Sequence, residues 1–462
     1  MPFYAQIAKP NQYVSEPERL RIVNGLQRLK TALADHIAQH RVAAPGTGTV
    51  RIATWNLREF GGSKYGGRGT EPLYYIAEII AHFDVVALQE VRADMDTLER
   101  LLAILGPDWE HIATDVTDGD AGNGERMVFL FNRQKAYFTH IAGELTLPEG
   151  GKVTAAFGER VRLENGMRLN LPAGANLGTD FDARMKSRAG GKHALDKDLE
   201  IPLPAGCTVT LPAGCALTMV KNSEVEKIAT GRARVSIPAP VAGAPFRVRL
   251  PSNSLDDSLR NFARTPFLVS MQSGWLKINL CTVHIYFGDS DDPLMMEQRR
   301  SEIEHLTGLL GQRAEDEFAA NGKVLTAVLG DFNIMNHQHP TMQALESSGF
   351  SVPDALKAIP GSNVEKDKAY DQIAFWQPDR NRGYVKVDVV GAGVFDYYEH
   401  IYRLDQAAEY SPANPTKFKD MRTYKMSDHL PMWIELRNDF SAEYLQASAA
   451  AQPAPVPAPP PP

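Results

Sequence analysis

Apolar residues in this chain recur with two periods. Ile22, Leu26, Leu29, Leu33 and Ile37 fall three and four apart. They follow Ser15-Glu16-Pro17-Glu18, a capping-box phrase with proline in the first turn, so an N-terminal helix is predicted, docked on its own body or, as the second reading, on another subunit. Ala43 to Thr49 has linker composition. Thereafter short apolar runs alternate with helical patterns. Strands are expected at Val50 to Leu57, Asp84 to Leu88, Arg126 to Asn132, Phe267 to Met271 and Leu276 to His284. Others are expected into Asp331, over Ala369 to Phe375 and over Leu430 to Leu436. Helices are expected at Tyr74 to Phe83 (amphipathic), Met95 to Leu105 and Asp292 to Gln312. Strands that first alternate with helices and then pair with one another indicate a mixed α/β fold.

The pattern breaks between about residues 150 and 254. This stretch is rich in Pro and Gly and repeats Leu-Pro-Ala-Gly at residues 171, 203 and 211, turn signals that predict a small all-β unit. The expected organisation is a helical extension over 1–48, a catalytic domain over 49–150 and 256–437, a β-rich insertion over 151–255, and a Pro/Ala-rich disordered tail over 438–462. The insertion and the proline tail are the places where a protein partner could bind.

Charge narrows the partners. The chain of 462 residues carries a net −7, so any nucleic-acid contact must be a local basic patch. Residues 152–249 hold 15 Lys and Arg against 9 Asp and Glu, densest at Arg184, Lys186, Arg188 and Lys192. Three cysteines (Cys207, Cys215 and Cys281) are too few for a disulfide framework and fit a reducing compartment. There is no signal-like N-terminus and no run of 18 apolar residues, so no membrane association and a cytoplasmic location are expected.

The predicted strands end in one kind of chemistry: Asn56, Glu90, Glu125-Arg126, His284, Asp331 with Asn333, Asp371, and Asp428-His429. In an extended backbone Asp331 and Asn333 project to the same side, with Gly330 allowing a sharp turn before them. Cleaving a phosphodiester needs a divalent cation, a base, an acid and neutral donors that orient the phosphate. Glu90 suits the metal, His284 and His429 suit acid–base work, and Asn56 and Asn333 suit orientation. Asp371 and Glu125 suit the carboxylate that holds a working histidine by its second nitrogen.

This set resembles the endonuclease/exonuclease/phosphatase superfamily, closest to its deoxyribonuclease I-like branch. The matching phrases, in the family's order, are Ile52-Ala-Thr-Trp-Asn-Leu-Arg-Glu-Phe-Gly61, Leu88-Gln-Glu-Val-Arg92, Glu125-Arg-Met-Val-Phe-Leu-Phe131, Phe262-Ala-Arg-Thr-Pro266, Val283-His284, Gly330-Asp-Phe-Asn333, Ala369-Tyr-Asp-Gln-Ile373 and Ser427-Asp-His-Leu-Pro431. The resemblance implies a four-layer α/β/β/α sandwich, here with an inserted small all-β unit and an N-terminal helix. It implies Mg²⁺, with Mn²⁺ as a substitute, held mainly by Glu90 with Asn56 beside it and Asp428 assisting.

It further implies that His284 pairs with Glu125 and His429 with Asp371, one as base and one as acid in either order. Asp331 and Asn333 would hold the attacking water or the phosphate. Arg58, Arg92, Arg126 and Arg264 would contact DNA. Leu57-Arg58 follows Asn56 where members resembling abasic-site endonucleases usually have an Asn-Gly pair, and the Glu90-Val91-Arg92 and Glu125-Arg126 phrases favour the deoxyribonuclease branch. Gln372 stands where the closest relatives have arginine. His337, His339 and the loop Asp289-Ser-Asp-Asp292 are secondary candidates for an extra cation, with ordinary loops the expected reading. A low-specificity DNA endonuclease is expected. RNA, a phospholipid or a small phosphoester would suit the same chemistry, and a partner-recruiting protein would keep the fold without it.

Overall fold

The structure, a computed structural model, describes residues 2–11, 14–43, 48–116, 124–145, 262, 264–288, 293–321, 324–377 and 386–450, with the backbone of short strands between 152 and 249. The chain divides into two units. One comprises Met1–Leu145, Ala263–Tyr286 and Ile303–Pro462, the other Thr146–Phe262 and Phe287–Glu302.

The first unit is built on two six-stranded sheets. In one, Val389–Val394, Met432–Arg437, β1 (Thr49–Phe60), β2 (Val85–Arg92), β4 (Glu125–Asn132) and β3 (Trp109–Ala113) lie side by side. In the other the order is Phe350–Ser351, Asp371–Trp376, Val324–Asp331, Leu276–His284, Phe267–Ser273 and β5 (Tyr137–Glu144). Each sheet holds one parallel pair, β1 with β2 and Leu276–His284 with Val324–Asp331. The carboxyl ends of such pairs are where an α/β protein gathers its functional groups. β1 is buried on both faces from Ile52 to Leu57, as a central strand between two layers must be. The sheets face one another through these central strands and carry helices outside, the four-layer sandwich the motifs imply.

Helix α1 (Glu16–Gln39) turns Ile22, Leu26, Leu29, Leu33 and Ile37 onto α2 (Thr70–Ile80). That contact corrects the reading of the second helix as amphipathic. Leu73 to Ile80 are all buried, because α1 covers the face that would otherwise meet water. Arg21 forks onto Glu71 at 2.7 Å, so the charge inside this seam is paired. Four strands, all at sheet edges, escape the sequence reading: the partly exposed β3 and β5, which carry no clear apolar alternation, and Phe350–Ser351 and Val389–Val394.

A second correction concerns the tail. Ser441–Ala450 is a helix, started by Asp439, which accepts from Ser441 N at 3.0 Å, and by an Arg437–Glu443 ion pair. An alanine-rich stretch with a cap has the propensity to coil even beside a proline tract. The proline tail from Gln452 lies outside the described residues, as do Cys207, Cys215, the loop Asp289–Asp292 and the side chains of Arg184, Lys186, Arg188 and Lys192.

In the second unit, eleven short strands from Lys152–Thr154 to Phe246–Arg249 form sheets of four, three and four. Leu199–Pro202 pairs antiparallel with Thr208–Leu211, bracketing one copy of the Leu-Pro-Ala-Gly phrase.

Candidate active site

Both strands of the first parallel pair lose their regular pairing at one level. The register slips between Asn56 and Phe60 on β1 and between Leu88 and Val91 on β2. Arg58, Glu59 and Glu90 adopt left-handed backbone there, with φ of +36°, +50° and +60°. Each such residue costs about 1 kcal/mol or more and persists only where its surroundings impose it. Arg68 imposes it on β1. This buried side chain donates to the carbonyls of Leu57, Arg58 (2.8 Å), Glu59 (3.0 Å), Lys425 (3.1 Å) and Met426 (3.0 Å). Burial pushes its pKa down to about 10.

Asn56 is completely buried at this bulge and spans the two sheets. Its amide nitrogen donates to Glu90 Oε1 at 2.9 Å and to Asp331 Oδ2 at 3.0 Å, while Oδ1 accepts from Arg58 N at 2.9 Å. Asn56 therefore turns donors toward the carboxylates and fixes them, which differs from the expected ligand role. In the second sheet His284 and Asp331 are register partners, and so are Asp331 and Asp371. Adding a Cβ to Gly330 would put it 2.2 Å from the Val283 carbonyl oxygen, so only glycine allows His284 and Asp331 to lie this close. Contrary to expectation, Asp331 and Asn333 are not an extended pair. Asn333 has φ +53°, and its N–H donates to Asp331 Oδ1 at 2.9 Å, the turn Asp makes with its own backbone two residues on.

The two histidines converge. His284 Nε2 and His429 Nε2 each lie 3.6 Å from the same atom, Asp331 Oδ2. On the far side, His429 Nδ1 is 2.8 Å from Asp371 Oδ2, and His284 Nδ1 is 3.2 Å from Glu125 Oε2 as an ion-pair approach without hydrogen-bond alignment. Burial opposes a charge on His429, but Asp371 and Asp331 outweigh it and raise its pKa well above the ordinary value. Burial likewise opposes ionisation of Glu125, yet His284 and Arg264 hold it down at about 2.

Arg264 corrects an expectation. It is 8% exposed and donates from Nε to Glu125 Oε2 at 2.8 Å, so it secures the carboxylate behind His284 instead of facing solvent. Arg126 is likewise committed, to the Thr114 carbonyl at 2.8 Å. Arg58 and Arg92 remain partly open, beside Asp428 (3.2 Å) and Glu59 (3.7 Å). Asp428 is 43% exposed and pairs with Arg58 on the solvent side of the cluster.

Sequence reasoning missed four residues besides Arg68. Ser362 donates to Asp371 Oδ2 at 2.7 Å and accepts from Asp371 N at 2.9 Å. Ser427 Oγ donates to the Asn56 carbonyl at 2.6 Å and accepts from His429 N at 3.0 Å. Trp55 Nε1 and the Tyr397 hydroxyl both reach the His429 carbonyl, at 3.0 and 2.9 Å. Trp55 and Ser427 stand inside the quoted phrases beside Asn56 and His429, whereas Ser362 and Tyr397 lie outside every phrase and gave no signal. His339 caps a helix by accepting from Thr341 N at 3.2 Å, and His337 meets the Ile359 carbonyl at 3.0 Å, so both do local structural work.

Glu90 and Asp331 face this space through their shared donor Asn56, and the ion pairs seen at either carboxylate among the described residues are those with the two histidines. An oxygen-rich, negatively charged pocket short of counter-charge fits a hard divalent cation, and Glu90, 18% exposed, is the oxygen donor open to one. Among the described residues no three His, Cys, Asp or Glu side chains are arranged around a single point as ligands. Mg²⁺ commonly binds through one or two carboxylates with water completing its shell.

A family model described as the Endonuclease/Exonuclease/phosphatase family matches residues 53–384. A search of the curated proteins found no match. Solved structures similar to this chain include the human Nocturnin catalytic domain with bound sulfate, at 11% identity and a TM-score of 0.38, covering 84% of this chain and 93% of that one. Zebrafish (D. rerio) TDP2 humanized by 14 mutations shows 9% identity and a TM-score of 0.39, covering 84% and 99%. A Bacteroides thetaiotaomicron mannosyl-6-phosphatase shows 12% identity and a TM-score of 0.38, covering 84% and 99%.

Proposed function

This chain belongs to the endonuclease/exonuclease/phosphatase family, whose members hydrolyse phosphoester bonds, and from that premise we propose that it is a Mg²⁺-dependent phosphodiesterase that cuts DNA with little sequence preference. One observation carries the reading. Two histidines, each backed by a carboxylate, aim Nε2 at a common point marked by Asp331 Oδ2, 3.6 Å from both. A phosphate or attacking water at that point meets a proton acceptor on one side and a proton donor on the other.

The surroundings support one division of labour. His429, whose pKa is raised by Asp371 and Asp331, holds a proton near neutral pH and suits the acid that protonates the leaving oxygen. His284, backed by the ionised Glu125, suits the base that takes a proton from water. Asp331 orients that water, and Asn56 keeps Asp331 and Glu90 at fixed separation. Glu90 would hold the cation. When bound, Mg²⁺ neutralises phosphate oxygens and the charge that develops on them. Arg58 and Arg92, partly exposed at the rim, would meet the flanking backbone phosphates.

The test is cleavage of supercoiled plasmid by purified protein with Mg²⁺, Mn²⁺ or EDTA, beside Glu90→Ala. Nicking that needs metal and is lost in the variant is the expected result. Absence of cleavage of both the plasmid and a single-stranded DNA with either metal overturns the DNA reading.

A further inference from the structure

One exposed cluster next to the site enters the reading above only through Arg58. The short turn Lys64–Gly66 follows the bulge of β1, and the helix Phe418–Lys425 precedes Asp428. Their side chains meet. The Tyr65 and Tyr424 rings are 5.3 Å apart, tilted by 49°. The Arg58 guanidinium lies 3.9 Å from the centre of the Tyr424 ring, and Lys64 Nζ donates to the Tyr424 hydroxyl at 2.7 Å. Lys425 Nζ donates to the Tyr65 carbonyl at 2.8 Å. Arg68, by gripping carbonyls of residues 57–59 and 425–426, locks the two halves to one another and to the bulge.

The arrangement is not explained by packing. Tyr65 is 39% exposed and sits at φ +52°, a conformation a bulky side chain resists, so the fold holds an aromatic ring toward water at a cost. The cluster is continuous with the catalytic residues: Arg58 reaches Asp428 at 3.2 Å, and Asp428 is next to His429. Exposed aromatic faces flanked by Arg and Lys are the elements that hold a nucleic-acid strand by its bases and phosphates without reading sequence.

We propose that Tyr65, Tyr424, Arg58 and Lys64 form a shelf that stacks an unpaired nucleobase next to the scissile phosphate, so that the enzyme prefers single-stranded or frayed nucleic acid to intact duplex. In a duplex both faces of each base are covered by its neighbours, and only an unstacked base offers a face to Tyr65. Arg58 at 3.9 Å and Lys64 at 4.2 Å lie against the Tyr424 ring, whereas Lys64 stands 6.0 Å from the centre of the Tyr65 ring, which makes Tyr65 the ring with more room for the base. Arg58 and Lys64 face the phosphates on either side. The inference rests on the nucleic-acid reading of the site, and it is tested by binding, which does not require turnover.

The experiment is equilibrium binding of a single-stranded oligonucleotide carrying 2-aminopurine, and of its duplex, to the full-length protein in EDTA. The parent, Tyr65→Ala and Tyr65→Phe are compared, with the melting temperature of each variant as a folding control. The shelf predicts that the parent binds single strand more tightly than duplex and quenches the 2-aminopurine. It predicts that Tyr65→Ala weakens single-strand binding by about tenfold and that Tyr65→Phe, which keeps the ring, stays within about threefold of the parent. Equal affinity of the parent and a well-folded Tyr65→Ala, equal loss in both variants, or a parent that favours duplex overturns the shelf. A parent that binds and quenches but cuts no nucleic acid with any metal overturns the nuclease reading while leaving the shelf in place.

Discussion

At the scale of single residues, the site is a set of acids and bases each held by a second group. Arg264 shows the consequence. Because it contacts Glu125 at 2.8 Å, Arg264→Ala should lower kcat by roughly 10- to 100-fold while moving KM little, the pattern of a positioning residue. A raised KM with unchanged kcat would restore the expected DNA contact. Glu125 carries a pH signature. Its pKa of about 2, against an ordinary 4.5, means its contribution is fully present above pH 4.5 and is lost as pH falls toward 2. That contribution is at most about 3 kcal/mol. In acid unfolding, Glu125→Gln should be less stable than the parent at pH 6, with the gap closing between pH 4.5 and 2; a gap independent of pH contradicts the ionised, paired Glu125. Arg68→Ala should cost both stability and turnover, because five carbonyls lose their donor at once; a variant normal in melting temperature and kcat contradicts its role in holding the bulge.

Legibility at this scale was uneven. Polar residues at strand ends, such as Glu90, His284 and Asp331, could be read from the sequence because the apolar run before each one announces the end of a strand. Arg264 could not be placed, because an arginine facing DNA and an arginine buried on a glutamate look alike without the partner's position. The same limit hid Ser362, nine residues from Asp371 in sequence and 2.7 Å away in space.

At the scale of elements, the three-and-four spacing of α1 specified a helix, and the seam it makes with α2 explains why. Leu29 and Leu33 are fully buried, and a Cβ on Gly25 would lie 2.2 Å from the Tyr75 hydroxyl. The extension is thus packed into the catalytic unit, and Leu33→Ala should cost about 2–5 kcal/mol in urea unfolding. A loss below about 0.5 kcal/mol would mean that the helix is dispensable packing. The sequence could not show that α2 is covered on every side, since its apolar positions read equally well as one broad face. Nor could it show edge strands such as β3 and β5, where partial exposure erases the alternation that marks a strand.

At the scale of the molecule, a net charge of −7 surrounds a site whose cations are few and local. On the proposed reading, long-range attraction of nucleic acid is therefore weak, and binding would depend on contacts made by Arg58, Lys64 and Arg92. If these neutralise two or three phosphates of a single strand, the slope of log affinity against log salt should be about −2. A slope beyond about −5 would point to an extended basic surface elsewhere. The interruption of the α/β pattern between residues 150 and 254 was legible from composition, because turn residues at short spacing cannot continue a helix or a long buried strand. The pairing of its eleven strands was not, because short strands of similar composition fit many registers.

The central claim is that His284 and His429 act together on one phosphate. The measurement that tests it most directly is kcat on a DNA substrate for His284→Ala, His429→Ala and the double variant, each verified as folded. The account predicts that each single substitution lowers kcat by about 10²- to 10⁴-fold and that the double loses little more, because the two groups serve one transition state. Near-normal turnover in both single variants would contradict it.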